Sequence, residues 1–177
     1  MSKCLTEKRL LNITLFYLSQ REASSEKVRT MLKRRLYRMK QRGEEIPPQA
    51  EKWIENVIQK VQDLSYLNDN RYAENQIRQM IAQGKSERHM ISKLATAGVS
   101  ADTVHQLILD ADSDELERAI RYAQKKKLGV YNPKSVSDIK KDLAKMARAG
   151  FSYDISYQAI QKNEKGPSIP VFEEDFS

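Results

Sequence analysis

The side chains most often used for chemistry are scarce in this chain of 177 residues. His89 and His105 are its two histidines and Cys4 its one cysteine. Both histidines fall inside helical patterns, and neither has the i, i+4 partner or HExxH-type spacing through which a helix holds zinc. A lone cysteine excludes an intrachain disulfide and fits a reducing cytoplasm. The six glycines stand at joints between helices or in the tail, with no GxGxxG or GxxxxGK[ST] loop to cradle a phosphate. Carboxylates are frequent, but their ordinary place is a solvated helix face. The expectation is a binding protein without catalytic residues, metal or cofactor.

Binding chemistry, by contrast, is concentrated. Residues 1–42 carry 12 basic and 3 acidic side chains, net +9; residues 43–112 carry 7 and 11, net −4; the remainder carries 12 and 10, net +2. Such a field draws in polyanions, single- or double-stranded nucleic acid or an acidic protein face, by Coulomb attraction that salt weakens. Its densest part is Lys33, Arg34, Arg35, Arg38, Lys40 and Arg42, surrounding Tyr37. On a helix Arg34, Arg38 and Arg42 recur every four residues as a stripe, while Met31, Leu32 and Leu36 assign another face to the core. Lys125, Lys126, Lys127, Lys140, Lys141, Lys145 and Arg148 are expected to extend this surface. Solubility and a solvated helix face are the alternative uses of the same charges.

The elements that carry these residues are helical. Good helix formers recur throughout, and Gly and Pro are few. Leu11, Leu15 and Leu18, widened by Ile13 and Phe16, predict a first helix. Ser24 or Ser25 caps a second, with Val28, Met31, Leu32 and Leu36 on one face. Gly43 to Pro48 breaks it, because consecutive prolines remove donors and forbid helical geometry before them. A third resumes near Gln49 with Trp53, Ile54, Val57, Ile58, Val61 and Leu64. Asn68, Ser86 and Ser100 cap the next three, separated by Gly84 and Gly98. Further helices are expected over 114–127, 135–149 and 152–161, before an acidic tail with Pro167, Pro170 and Glu173-Glu174-Asp175 expected to be frayed. No apolar run approaches the roughly 20 residues of a membrane span.

An internal repeat runs through this pattern. Ser24, Val28 and Leu32, then Ser86, Met90 and Leu94, then Ser135, Ile139 and Leu143 each place apolar residues four and eight after a serine. Ala97-Gly98-Val99-Ser100 and Ala149-Gly150-Phe151-Ser152 supply two matching joints. Gly150 follows Leu143 by seven residues and Gly98 follows Leu94 by four, so the third middle helix is expected to be about one turn longer. The chain is thus read as all-α, three tandem three-helix repeats at 1–66, 67–112 and 113–162 with a tail at 163–177. Units this small must share apolar surface, so they are expected to stack into an elongated, curved array of either hand. The span Ser86 to Ile108 also has the outline of a DNA-binding helix-turn-helix. Its second helix carries Asp102, Asp110 and Asp112 and no Lys or Arg, so it would set carboxylates against phosphates. The absence of a long heptad run favours a monomer.

Over about residues 10–161 the sequence resembles the RecX family of recombination regulators. The resemblance is carried by Arg21-Glu22 with the Ser24–Leu32 pattern, by Tyr66-Leu67-Asn68-Asp69-Asn70-Arg71-Tyr72-Ala73, by Ile91 to Val99, and by Arg148-Ala149-Gly150-Phe151-Ser152-Tyr153-Asp154. The chain departs from the family pattern in Asn68 for the first Asp, in Gln83-Gly84-Lys85 at the Gly-rich step, and in Ala97 and Ala149, where a basic residue is common. The resemblance implies tandem three-helix repeats and direct binding to RecA recombinase. It also implies placement in the groove of the RecA filament on DNA, with suppression of filament growth, ATP hydrolysis and strand exchange.

Overall fold

The computed structural model describes residues 5–133 and 138–161. Cys4, Ser135 and the tail at 163–177 lie outside the described residues. Among those described the chain is all-α, with nine helices, one 3-10 turn at Gly129–Tyr131 and no strand. The helices are α1 (Glu7–Gln20), α2 (Ser25–Gln41), α3 (Ala50–Asp63), α4 (Asp69–Ala82), α5 (Glu87–Ala95), α6 (Ala101–Asp110), α7 (Glu115–Lys126), α8 (Ile139–Arg148) and α9 (Tyr153–Gln161).

Side-chain oxygens set most of the helix starts. Thr6, Ser24, Asp114 and Asp138 accept from backbone N–H groups of the first turns of α1, α2, α7 and α8. Asn68, Ser86, Ser100 and Ser152 do the same for α4, α5, α6 and α9. Each satisfies a donor that the helix leaves orphaned, a contribution of about 1 kcal/mol. Thr6 precedes Ser24 by the same 18 residues that separate Asn68 from Ser86, and Ser86 precedes Ser100 by the same 14 that separate Asp138 from Ser152.

Contacts gather the chain into two compact units: residues up to Ile77 with Ile91–Leu107, and Arg78–Met90 with residues from Ile108 on. In the first unit α3 packs against both α1 and α2. Its core holds Leu10, Val28, Leu32, Ile54, Val57 and Val61, all at most 1% exposed. Asp69, at the start of α4, accepts the Ser25 N–H at 2.7 Å and so ties α4 to the first turn of α2. In the second unit α7, α8 and α9 enclose Ala119, Ala123, Leu128, Met146, Phe151 and Ile160.

Three sequence expectations need correction. Phe16 is 70% exposed, and the seam of α1 runs instead through Leu10 and Thr14; the Thr14 hydroxyl satisfies itself on the Leu10 carbonyl at 3.0 Å and can therefore be buried. Leu64 lies past the last turn of α3, where Ser65 takes a left-handed φ of 59°, and is 54% exposed. Helix α8 starts at Ile139 with Asp138 as its cap rather than at Ser135. This shift removes the extra turn. Asp142 and Met146, four and eight residues after Asp138, are buried as Met90 and Leu94 are after Ser86, and Gly98 and Gly150 each follow their cap by 12 residues.

Those two glycines also meet comparable surroundings. Gly98 has φ +82°, and a Cβ there would come 3.3 Å from Cβ of Glu26, two residues after the Ser24 cap. Gly150 has φ +94°, and a Cβ would come 2.6 Å from Oγ of the Ser86 cap and 3.3 Å from Cβ of Arg88. Left-handed backbone and close approach together call for glycine.

Candidate functional site

Helix α2 orients the densest basic cluster by burying its opposite side. Val28, Leu32, Leu36 and Met39 are hidden, which leaves Lys33, Arg34, Tyr37, Arg38, Lys40 and Arg42 exposed and Arg35 half-buried. The cations do not form one straight stripe. Each four-residue step overshoots a helical turn by about 40°, so Arg42 is rotated by about 80° from Arg34. Two surfaces result. Lys27, Thr30, Met31, Arg34 and Arg38 share one, and with Tyr17 of α1 and Thr96 they line an open groove of about 460 Å³. Arg35, Arg38, Met39 and Arg42 turn to the other and, with Arg9 of α1 and Glu44, line a smaller cavity of about 120 Å³. Arg38 belongs to both.

The bonds around α2 separate Arg29, clamped between two carboxylates, from cations that have no ion pair. Arg29, one turn before Lys33, grips Glu55 of α3 through Nε and a terminal nitrogen, each at 2.8 Å, and donates to Glu26 at 2.6 Å. The two carboxylates push Arg29 further above the usual guanidinium range, and hydrogen bonds from Arg29 hold the Glu55 carboxyl below its usual 4.5. Among the described residues no ion pair engages Lys33, Arg34, Arg38, Lys40 or Arg42. Arg38 Nε donates to the Arg34 carbonyl at 3.3 Å, which steadies its guanidinium. Arg35 Nε is buried and meets no acceptor, a deficit of about 1–3 kcal/mol for a donor removed from water.

Sequence reading missed Arg9, Tyr17 and Lys27. Lys27 precedes Arg34 by seven residues and so shares its face, a signal that was there to be used. Its Nζ donates to the Tyr72 hydroxyl and stands 4.8 Å from that ring's centroid. Arg21 lies 5.5 Å from the centroid of the Tyr17 ring. Arg9 and Tyr17 reach α2 only through helix packing, which spacing along the chain does not encode.

The second basic group lies in the other unit, and part of it has local work. Lys125 and Lys126 occupy the last turn of α7, where cations favour the helix dipole. Lys127 closes that helix in a left-handed conformation, φ 55°, its N–H donating to the Ala123 and Gln124 carbonyls. Lys141 pairs with Asp138 at 3.1 Å and draws that carboxyl below its usual range. Lys145 pairs at 2.9 Å with Asp142, a buried carboxylate that also accepts the Gly129 N–H at 2.9 Å. Arg148 donates to the Ala144 carbonyl at 3.1 Å, and Lys140 is exposed. These side chains therefore support α7 and α8 as well as charging their surface.

His89 and His105 are exposed, and no cluster of three or more His, Cys, Asp or Glu side chains suited to a metal occurs among the described residues. No helix among them is long and apolar enough to cross a membrane. Ala97, where a basic residue was noted as common, is 2% exposed beside Gly98, so this joint is packed rather than charged.

Similarity to known proteins agrees with the fold. Regulatory protein RecX of Myxococcus xanthus (strain DK1622) is 34% identical over 160 residues, covering 87% of this chain and 85% of that protein. Regulatory protein RecX of Agrobacterium fabrum (strain C58 / ATCC 33970) is 27% identical over 152 residues, covering 84% and 80%. The crystal structure of RecX from Lactobacillus salivarius superposes with a TM-score of 0.61 at 24% identity, over 87% of this chain and 94% of that one. A crystal structure of regulatory protein RecX gives 0.63 at 18% identity, over 87% and 70%. No family model matches the chain.

Proposed function

The chain belongs to the RecX family, and from that premise we propose that it regulates a RecA-type recombinase by binding the filament the recombinase forms on DNA. Binding in the filament groove suppresses ATP hydrolysis, filament extension and strand exchange. Three three-helix units, 1–66, 67–112 and 113–162, bridge successive recombinase subunits. The recurring cap spacings and the matched Gly98 and Gly150 joints support this division. The α2 surface faces DNA or an acidic wall of the groove, and Lys125, Lys126, Lys127, Lys140, Lys141, Lys145 and Arg148 lend charge from the third unit.

The observation that carries the reading is the set of cations without ion pairs that α2 exposes on two adjoining surfaces while its apolar face is packed. A solvated, salt-neutralised face would look like Arg29, with a carboxylate on each side. Reversing the charge of Arg34, Arg38 and Arg42 together weakens filament binding far more than reversing Asp102, Asp110 and Asp112. Co-sedimentation with RecA filaments measures this, and equal effects in the two variants contradict the assignment.

A second reading is a helical nucleic-acid-binding protein that acts without RecA. The exposed Tyr37 amid the arginines favours it, since an aromatic ring flanked by cations suits unpaired bases. Under that reading the chain inhibits only at concentrations that coat the DNA.

A further inference from the structure

We infer that the cavity lined by Arg9, Arg35, Arg38 and Arg42 is a phosphate site, which takes a phosphodiester of single-stranded nucleic acid while Tyr37 stacks on a neighbouring base. The inference rests on the reading of α2 as the DNA-facing surface and names the group that surface holds.

Four guanidiniums and one carboxylate, Glu44, line a cavity of about 120 Å³, a local excess of positive charge in a space sufficient for one tetrahedral anion. Guanidinium is the cation whose planar fork matches phosphate oxygens in pairs. Arg35 supplies the sharper sign. It lines the cavity half-buried, its Nε is enclosed without an acceptor, and no ion pair among the described residues engages it, so its positive charge is left for an anion to meet. Arg38 is steadied by its bond to the Arg34 carbonyl and reaches the adjoining groove as well, which gives the strand a path from the cavity past Arg34 and Tyr17. Tyr37 immediately precedes Arg38 and is 64% exposed. A free ring at that place contributes little to the fold but offers a stacking platform to an unpaired base, which a duplex keeps covered. Glu44 opposes the anion and lowers the affinity without cancelling the field.

The test is fluorescence anisotropy of a labelled oligothymidylate with the full chain and no recombinase present. Arg35→Gln with Arg42→Gln is expected to weaken binding roughly tenfold or more and to flatten the dependence of log K on log salt by about 0.7 for the phosphate lost. Lys52→Gln with Lys60→Gln removes the same charge from exposed positions on α3 and is expected to change binding much less. Arg35→Lys with Arg42→Lys keeps the charge but loses the fork, and is expected to weaken binding while leaving the salt slope near that of the wild type. Thermal melts confirm that each variant folds. Inorganic phosphate competing better than chloride at equal ionic strength for the wild type, and no better for the Arg→Gln pair, supports the site; equal losses in the Arg→Gln and Lys→Gln pairs overturn it. A chain that inhibits RecA but binds the oligonucleotide no better than the Arg→Gln pair loses this inference and keeps the regulator reading. A chain that binds as expected and leaves RecA untouched keeps the site and loses the regulator reading.

Discussion

At Gly150 the backbone leaves no room for a side chain. Its φ of +94° and the 2.6 Å approach to Ser86 Oγ mean that Gly150→Ala must strain the backbone and displace a hydroxyl that donates to the Ala149 carbonyl at 2.6 Å. The expected loss is at least about 1–2 kcal/mol from the left-handed conformation alone. Gly98→Ala meets Glu26 Cβ only at 3.3 Å and should cost less, so urea midpoints are expected to fall further for Gly150→Ala. The pair Arg29–Glu55 sets a second residue-scale expectation. Glu55 titrates below its usual 4.5 in the folded chain, so between its folded and unfolded values the unfolded chain binds more protons. Its stabilising contribution is present above about 4.5 and is lost as pH falls through the folded value. Because Glu55 is half exposed, solvent screening keeps the effect small. Arg29→Met should therefore show a smaller fall in urea midpoint than the wild type when pH is lowered from neutral to below that range. Of these residues, the joint glycines were legible from their place after an apolar run. Arg29 was not, because its partner Glu55 comes from another helix.

Under the proposed function, helix α2 serves both stability and binding. Leu32 is fully buried in the first unit, and Leu32→Ala is expected to cost about 2–5 kcal/mol by urea denaturation. Arg34, Arg38 and Arg42 are exposed, so reversing their charge should leave that midpoint nearly unchanged while filament binding falls. The sequence placed α2, α5 and α6 through their caps, since a serine followed by apolar residues four and eight later is a local signal. Helix α8 misled it because Ser135 satisfies the same pattern with Ile139 and Leu143, one turn ahead of Asp138 with Asp142 and Met146. Only packing decides between them: buried Asp142 is held by Lys145 and the Gly129 N–H, a satisfaction no periodicity reveals. Phe16 was misplaced for the converse reason, because Thr14 takes the buried position that polarity alone denied it.

Over the whole molecule the charge bias of residues 1–42 becomes a definite surface, an open groove and an arginine-lined cavity on either side of Arg38. The all-α class was legible because helix formers, caps and joint glycines point the same way along the chain. The composition of the cavity was not, since Arg9 and Glu44 join the arginines of α2 only after folding. The proposed function sets this surface against a recombinase filament, and the decisive measurement is the rate of RecA ATP hydrolysis on single-stranded DNA as the chain is titrated from far below the recombinase concentration. The account predicts inhibition at substoichiometric amounts, lost when Arg34, Arg38 and Arg42 are reversed. Inhibition that appears only when enough chain is present to coat the DNA, or none at all, would contradict it.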